Sequence, residues 1–480
     1  MKKLITTVLA SFFFLSTEAQ RIKVPDLLIQ NINIVDVEKG EIVEGMDVFI
    51  LRDRIYEIVD SKTLDLEANF TLDGTGKYLI PGLWDMHAHP DDPEMWKMKP
   101  RKESRDLLLP LFVLHGVTGI RDMGGSLRVV NEWRENIANG SILGPTIFAA
   151  GPIIDGPKSR LEGVVRFSSP KQAPQKVDSL IEAGVDFLKI HSSLPKSTYF
   201  ALSEYAQSID FPFCGYLPQS VTNEEASDSG INSLEHLLNI PLECSSVESD
   251  VRNRTVDYGG IEDRLGKYIF RNKLIIDSYD SEKADALFKT FVENGTWLTP
   301  TISRWYKNAW FESEEIKDQA YFKYLPTYMR KYWNPQYNDH LKFRQQEFLN
   351  ANQLLVEHYI KIIGDMNDAG VRLLAGTDTG ANPLCWPGLG VHYEIELFEK
   401  AGLTPIGALR TATLNPVLYF GIEEDYGTIE KGKFADMVVL DANPLETVSN
   451  TQKISGVVKS GMFFNKNRIK EYLSEIADRQ

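Results

Sequence analysis

Short apolar runs recur through the middle of this chain, at residues 78–87, 116–122, 146–151, 186–191, 211–217, 232–236, 296–301 and 371–377. Amphipathic stretches with helical spacing, such as residues 171–183 and 223–229, lie between most of them. Eight strands alternating with helices predict an α/β fold, a parallel (β/α)8 TIM barrel. The ends of the chain read differently. Residues 28–37 partly alternate apolar and polar side chains, 38–40 turn, and the runs 46–51 and 54–59 follow; residues 435–440 and 454–459 return to the same character. Two β-rich ends around an α/β middle predict a small β-sandwich domain built from both termini, over 20–77 and 426–480, with the barrel over 78–425. The intervals 240–295 and 303–360 are longer than a crossover needs. The second is a helical insertion after the seventh strand and carries Trp305, Tyr306, Trp310, Tyr321, Tyr324, Tyr328, Tyr332 and Trp333. These aromatics are either a substrate wall over the barrel mouth or the core of an extra helical layer.

The first nineteen residues stand apart. Lys2 and Lys3 precede an apolar stretch from Leu4 to Leu15, and Ser16-Thr17-Glu18-Ala19 follows. That is the layout of a secretory signal over residues 1–19, so the chain is expected to be exported, to a periplasm or the medium. No cysteine follows the stretch to carry a lipid anchor, and no later segment approaches eighteen uninterrupted apolar residues, so no membrane association is expected after cleavage. The formal net charge of −15 argues against nucleic acid as a partner and leaves no basic membrane patch. It leaves self-association into a homo-oligomer open. Cys214, Cys244 and Cys385 are too few and too scattered for a disulfide framework and read as small buried apolar residues.

In a barrel of this type, chemistry sits at the C-terminal ends of the strands. The first strand ends in Asp85-Met-His-Ala-His89. Strand side chains alternate with a period of two, so His87 and His89 point the same way and form half of a metal site. Asp85 shares their parity one layer deeper, as support for the site or as plain barrel core. The fourth strand carries Lys189 within an apolar run, the sixth ends in His236, and the eighth ends in Asp378. A strand-end aspartate is by itself more often a helix cap than a ligand. Together these residues converge on one mouth.

The chain resembles the amidohydrolase superfamily, in the group similar to imidazolonepropionases and Xaa-Pro dipeptidases. The residues that carry the likeness are Pro81-Gly-Leu-Trp-Asp-Met-His-Ala-His89, Gly116-Val-Thr-Gly-Ile-Arg-Asp-Met-Gly124, Asp186-Phe-Leu-Lys-Ile190, Ser233-Leu-Glu-His236 and Ala375-Gly-Thr-Asp-Thr379. Ala408-Leu-Arg-Thr-Ala-Thr-Leu-Asn-Pro416 and Gly427-Thr-Ile-Glu-Lys-Gly-Lys-Phe-Ala-Asp436 extend it toward the C-terminus. The resemblance implies a metal-dependent hydrolase, commonly with zinc. His87, His89 and Asp378 would hold one Zn2+ ion, His236 would help hold a second, and a carboxylated Lys189 would bridge them. Asp378 would also accept the proton of the attacking water and pass it to the departing amine.

One position departs from the family. A fifth-strand histidine usually serves the second metal, and Tyr216 stands there in Asp210-Phe-Pro-Phe-Cys-Gly-Tyr216. A phenol is a poor ligand unless ionised, and its reference pKa is about 10. The second ion is therefore weak, absent or held by a tyrosinate. His191, on the face of Lys189, is a candidate substitute or a substrate contact. His115, His340, His358 and His392 have no assigned chemistry. The expected activity is hydrolysis of a C–N bond in a small amide, a dipeptide or a cyclic amide. Metal-dependent deamination and a catalytically impaired binding protein are the alternatives.

Overall fold

The computed structural model describes residues 24–61, 63, 67–311, 319–334, 345–380 and 382–479. The predicted signal at 1–19 and His340 lie outside the described residues. Eight parallel strands form the barrel: β1 (Leu83–Ala88), β2 (Val117–Asp122), β3 (Thr146–Ala149), β4 (Leu188–Ile190), β5 (Phe213–Gly215), β6 (Ser233–Glu235), β7 (Trp297–Thr299) and β8 (Arg372–Leu373). β1 to β3 pair in succession, as do β4 to β8. Two seams complete the ring. At one, the Asp186 N–H donates to the Ala149 carbonyl (2.9 Å), and the Ala149 N–H donates back to the Asp186 carboxylate (2.7 Å). At the other, just past β8, the Met86 N–H donates to the Ala375 carbonyl (2.8 Å) and the Asp378 N–H to the His87 carbonyl (2.6 Å). Every residue of β1 and β2 is buried, as parallel strands covered by helices require.

The first predicted strand divides in two. Tyr78–Pro81 belongs to the small domain, parallel to Leu27–Asp36 and antiparallel to Met437–Leu440, and only after Gly82 does the chain enter β1. A Cβ at Gly82 would stand 2.0 Å from Thr118 Oγ1 on β2, so the crossing from one domain to the other needs a residue without a side chain. Both halves are buried, and an apolar run cannot reveal such a break.

The small domain is one eight-stranded sheet. Its order is Met462–Asn465, Ile454–Lys459, Met437–Leu440, Tyr78–Pro81, Leu27–Asp36, Glu41–Leu51 and Arg54–Asp60, with Phe70–Asp73 also on Leu27–Asp36. Register shifts between Ile29 and Ile34 break the regularity of the long strand. Both halves of the sheet share one core, which includes Ile29, Ile32, Val48, Leu79, Met437 and Val439. Residues 466–478, expected as part of the sandwich, are a helix, Lys466–Asp478. The Asn465 side chain caps it by accepting the Arg468 N–H, and Ile469, Leu473 and Ile476 form its buried stripe.

The insertion after β7 holds the helices Ile302–Ala309, Thr327–Tyr332 and Gln346–Asp368. Its described aromatic residues form the core of an extra layer. Tyr306 stacks on Trp310 (ring centroids 4.4 Å apart), Trp305 meets Tyr359 edge-on (5.6 Å), and Trp333 meets Trp386 (5.3 Å). The layer is tied to the barrel mouth by Trp333 Nε1, which donates to the Gly380 carbonyl (3.0 Å), and by the Tyr332 hydroxyl on Glu94 (2.9 Å). Among the described residues, all three cysteines are buried and free, and no helix is long and apolar enough to cross a membrane.

The junction yields a direct test. Gly82→Ala forces a methyl group onto Thr118, and overpacking of this kind costs about 1–3 kcal/mol. The expected result is a lower urea midpoint at unchanged m-value; an unchanged midpoint would refute the close crossing.

Candidate active site

The ends of β1, β4, β5, β6 and β8 open into one cavity of about 310 Å3. His87, His89, Lys189, His191, Tyr216, His236 and Asp378 all line it. Among the described residues, none of the insertion aromatics does. Asp378 Oδ1 lies 3.4 Å from His87 Nε2 and 3.4 Å from His89 Nε2, and the two nitrogens are 3.3 Å apart. Donor atoms bound at about 2.0–2.1 Å by a tetrahedral ion lie about 3.3–3.4 Å from one another. The triangle therefore has the edge length of one face of a zinc tetrahedron. Among the described residues it is the one such group of three donors.

The surroundings determine which atoms point inward. Glu235, on β6, accepts from His87 Nδ1 at 2.6 Å, which places the proton on that nitrogen and leaves Nε2 as the lone-pair donor. The other oxygen of Glu235 meets Arg121 Nη2 at 2.7 Å. Arg121 also donates to Ser233 Oγ (2.9 Å), Thr299 Oγ1 (3.1 Å) and the Met86 carbonyl (2.6 Å), so a buried guanidinium braces β1, β6 and β7 together. Burial opposes the charge on Glu235, but Arg121 and His87 outweigh it and hold the carboxyl below its ordinary range. His236 Nδ1 is 2.7 Å from Thr301 Oγ1 beyond β7. His236, Thr301 and Asp378 all have left-handed backbones, with φ of 64°, 49° and 56°. Strain of this kind at three strand ends is characteristic of a functional site.

The charges are unevenly settled. Burial, helped by Lys189, pulls His87 down to about 4, so it is neutral. Burial also works to lower His89, but Asp378 and Asp92 win and raise it to about 9. Without a metal, a proton thus sits on the side chain that a cation would claim. Lys189 is buried, and its ammonium has no hydrogen bond or ion pair among the described residues; burial pulls its pKa down. Burial raises the Tyr216 phenol and thereby opposes a tyrosinate. The Tyr216 ring stacks on His191 with centroids 5.0 Å apart, and His191 Nδ1 is 3.4 Å from the buried carboxylate of Asp155.

Several participants had little or no sequence signal. Arg304, in the first turn of Ile302–Ala309, reaches Asp378 Oδ2 at 3.1 Å and lines the cavity. Glu235 was legible in principle, since it shares the inward parity of Ser233 and adjoins His236. Asp155 comes from a two-residue strand, Ile154–Asp155, that pairs with β4. His392 bonds to Thr451 and the His115 carbonyl, and both histidines serve packing away from the cavity.

The profile of the Amidohydrolase family matches residues 78–463, and the chain belongs to that family. Ochratoxinase from Aspergillus niger is 32% identical over 117 residues, a stretch that covers only 23% of this chain and 23% of that enzyme. A solved Xaa-Pro dipeptidase with methionine bound in its active site superposes with a TM-score of 0.65 at 19% identity, over 92% of this chain and 99% of that one. The bottromycin amidohydrolase superposes with a TM-score of 0.69 at 21% identity, over 94% and 90%. These two likenesses show that the barrel-plus-small-domain fold is shared.

Two measurements test the supports. Glu235→Gln removes the acceptor that orders His87, and losses of such partners cost about 10–100-fold in metal affinity. Competition with a chromophoric chelator should show that drop for zinc in a variant whose circular dichroism is unchanged; wild-type affinity would refute the role. Glu394 accepts the N–H groups of Ile302 (2.9 Å) and Ser303 (2.7 Å), anchoring the helix that carries Arg304, and burial pushes its carboxyl up to about 8. An unfolded glutamate titrates near about 4.3. The native state therefore keeps a proton that the unfolded chain releases, and this group makes stability fall as pH rises between those values. Urea denaturation at pH 5 and pH 8 should show that fall reduced in Glu394→Gln, and an identical pH dependence in both proteins would overturn the assignment.

Proposed function

We propose that this protein is an exported, metal-dependent amidohydrolase that hydrolyses a C–N bond in a small amide, a dipeptide or a cyclic amide. The observation that carries the reading is the His87–His89–Asp378 triangle, with edges of 3.3–3.4 Å, at the mouth of an amidohydrolase-family barrel. These three side chains would hold a divalent ion, zinc in our reading. When bound, the ion supplies a Lewis acid and a water acidic enough to attack a carbonyl at neutral pH. A second ion would rest on His236 and on Lys189 once carboxylated. Burial outweighs the nearby Glu235 and Asp378 charges and favours the uncharged amine of Lys189, the form that takes up carbon dioxide. Export rests on the charged, apolar and small-residue layout of residues 1–19.

The chain's own residues divide the remaining work. Glu235 keeps the proton on His87 Nδ1, and Thr301 orients His236. Asp378 Oδ1 faces the histidines, while Oδ2 faces Arg304 and is free of them. Oδ2 takes the proton of the attacking water and delivers it to the leaving nitrogen. Glu162, Asp92 and Glu94 lie at the cavity wall.

The test uses chelator-stripped and zinc-reconstituted protein on a panel of N-acyl amino acids and dipeptides, with products separated by chromatography. Zinc should restore cleavage. Asp378→Asn should lower kcat by about 10²–10⁴-fold with the fold intact, and the double variant His87→Ala, His89→Ala should lose metal by elemental analysis. Release of ammonia without cleavage into two larger products would point to deamination instead, and wild-type metal content in the double variant would sink the site.

A further inference from the structure

Arg304 is the cation that the proposed chemistry leaves unused. Its guanidinium offers five N–H donors in a planar fork. Nη1 is 3.1 Å from Asp378 Oδ2, and Nε is buried with no hydrogen-bond partner. No second carboxylate approaches it among the described residues. The Trp305 ring, 5.0 Å from the guanidinium carbon, backs the group on one side. Its position is set from below. Glu394 holds the backbone N–H groups that begin the helix, and Thr301, one turn earlier, is committed to His236. Of the other fully ionic side chains at the cavity wall, Asp92, Glu94, Glu162 and Asp378 are acidic and Lys189 has its own role beside the metal ligands. Among the described residues, Arg304 is thus the cationic side chain at the cavity wall, outside the proposed metal ligands, that can receive an anionic group on a substrate.

We propose that Arg304 is the specificity residue for a free carboxylate, and that the substrates are amides in which this carboxylate lies within a few bonds of the scissile nitrogen, as in N-acyl α-amino acids and dipeptides. The spacing follows from Asp378: a carboxylate on Arg304 sits beside the atom that handles the proton of the leaving amine. The assignment rests on reading the cavity as a hydrolase site. The alternative is that Arg304 acts only by tuning Asp378, in which case it would serve neutral and anionic substrates alike.

Binding and turnover separate these. The probes are N-benzenesulfonylglycine and its carboxamide, sulfonamides that resist hydrolysis, titrated calorimetrically into zinc-loaded wild type, Arg304→Gln and Arg304→Lys. Wild type should bind the acid at least about tenfold more tightly than the carboxamide, the preference expected when a charge-assisted bidentate contact is replaced by a neutral one. Arg304→Gln should bind the two within about threefold, and Arg304→Lys, a point charge without the fork, should fall between. The ratio of kcat/KM for N-acyl amino acids over their carboxamides should follow the same order. Equal binding of both probes by wild type, or an undiminished preference in Arg304→Gln, overturns the proposal. So does an equal loss of both ligands in that variant. A binding preference that survives while no amide is cleaved would count against the hydrolase reading and leave the role of Arg304 standing.

Discussion

A single buried carboxylate couples the two ends of the barrel. Asp85 Oδ1 accepts the N–H of His87 (3.1 Å) and of Thr377 (3.0 Å), and Oδ2 accepts the Thr377 hydroxyl (2.6 Å). The group is fully buried, and burial pushes its carboxyl up to about 7 against the pull of those three donors. Its partners are the strand that carries the two histidines and the segment that delivers Asp378. Closing the ring and assembling the donor triangle are therefore one event: β1 cannot pair with the segment after β8 without bringing His87 Nε2 and Asp378 Oδ1 to 3.4 Å. Loss of this register would shift each side chain by one position and turn the ligands out of the cavity.

Around that seam the protein holds a set of strained and desolvated groups. Left-handed backbones at His236, Thr301 and Asp378 are costly for residues with a Cβ, of order 1–2 kcal/mol each. They persist because neighbouring contacts over-determine them: Thr301 on His236, and Asn382 Nδ2 on the Asp378 carbonyl at 3.0 Å. Arg121 beneath the site makes four hydrogen bonds to three strands and neutralises Glu235, so the charge that orders His87 is itself compensated. The helical insertion adds a further constraint. Its aromatic layer packs above the barrel, fixes the helix Ile302–Ala309 and, among the described residues, sends Arg304 into the cavity.

Much of this was legible in the residues. The apolar runs located the barrel strands because parallel strands are buried on both faces and bear a continuous apolar signature. Period-two parity put His87 and His89 on one face, and it also placed Asp85 inward, although parity alone could not separate a brace from a core residue. The aromatic insertion was ambiguous because a core and a substrate wall call for the same residue types; only packing against Tyr359 and Trp386 made it a core. The run at 78–87 concealed a domain boundary, since hydrophobicity reports burial and not the identity of the covering partner.

Local patterning thus determined the elements: where strands lie, which way their side chains alternate, and that His87, His89, Lys189, His236 and Asp378 stand at strand ends. Such properties depend on neighbours within a few residues, and a linear sequence contains those. Tertiary structure alone decided the distances between strand ends, the pairing of Arg121 with Glu235 across 114 positions, the junction of Asp85 with Thr377 across 292, and the arrival of Arg304 beside Asp378. Those contacts arise from ring closure and from the docking of an inserted layer, and no local periodicity encodes either.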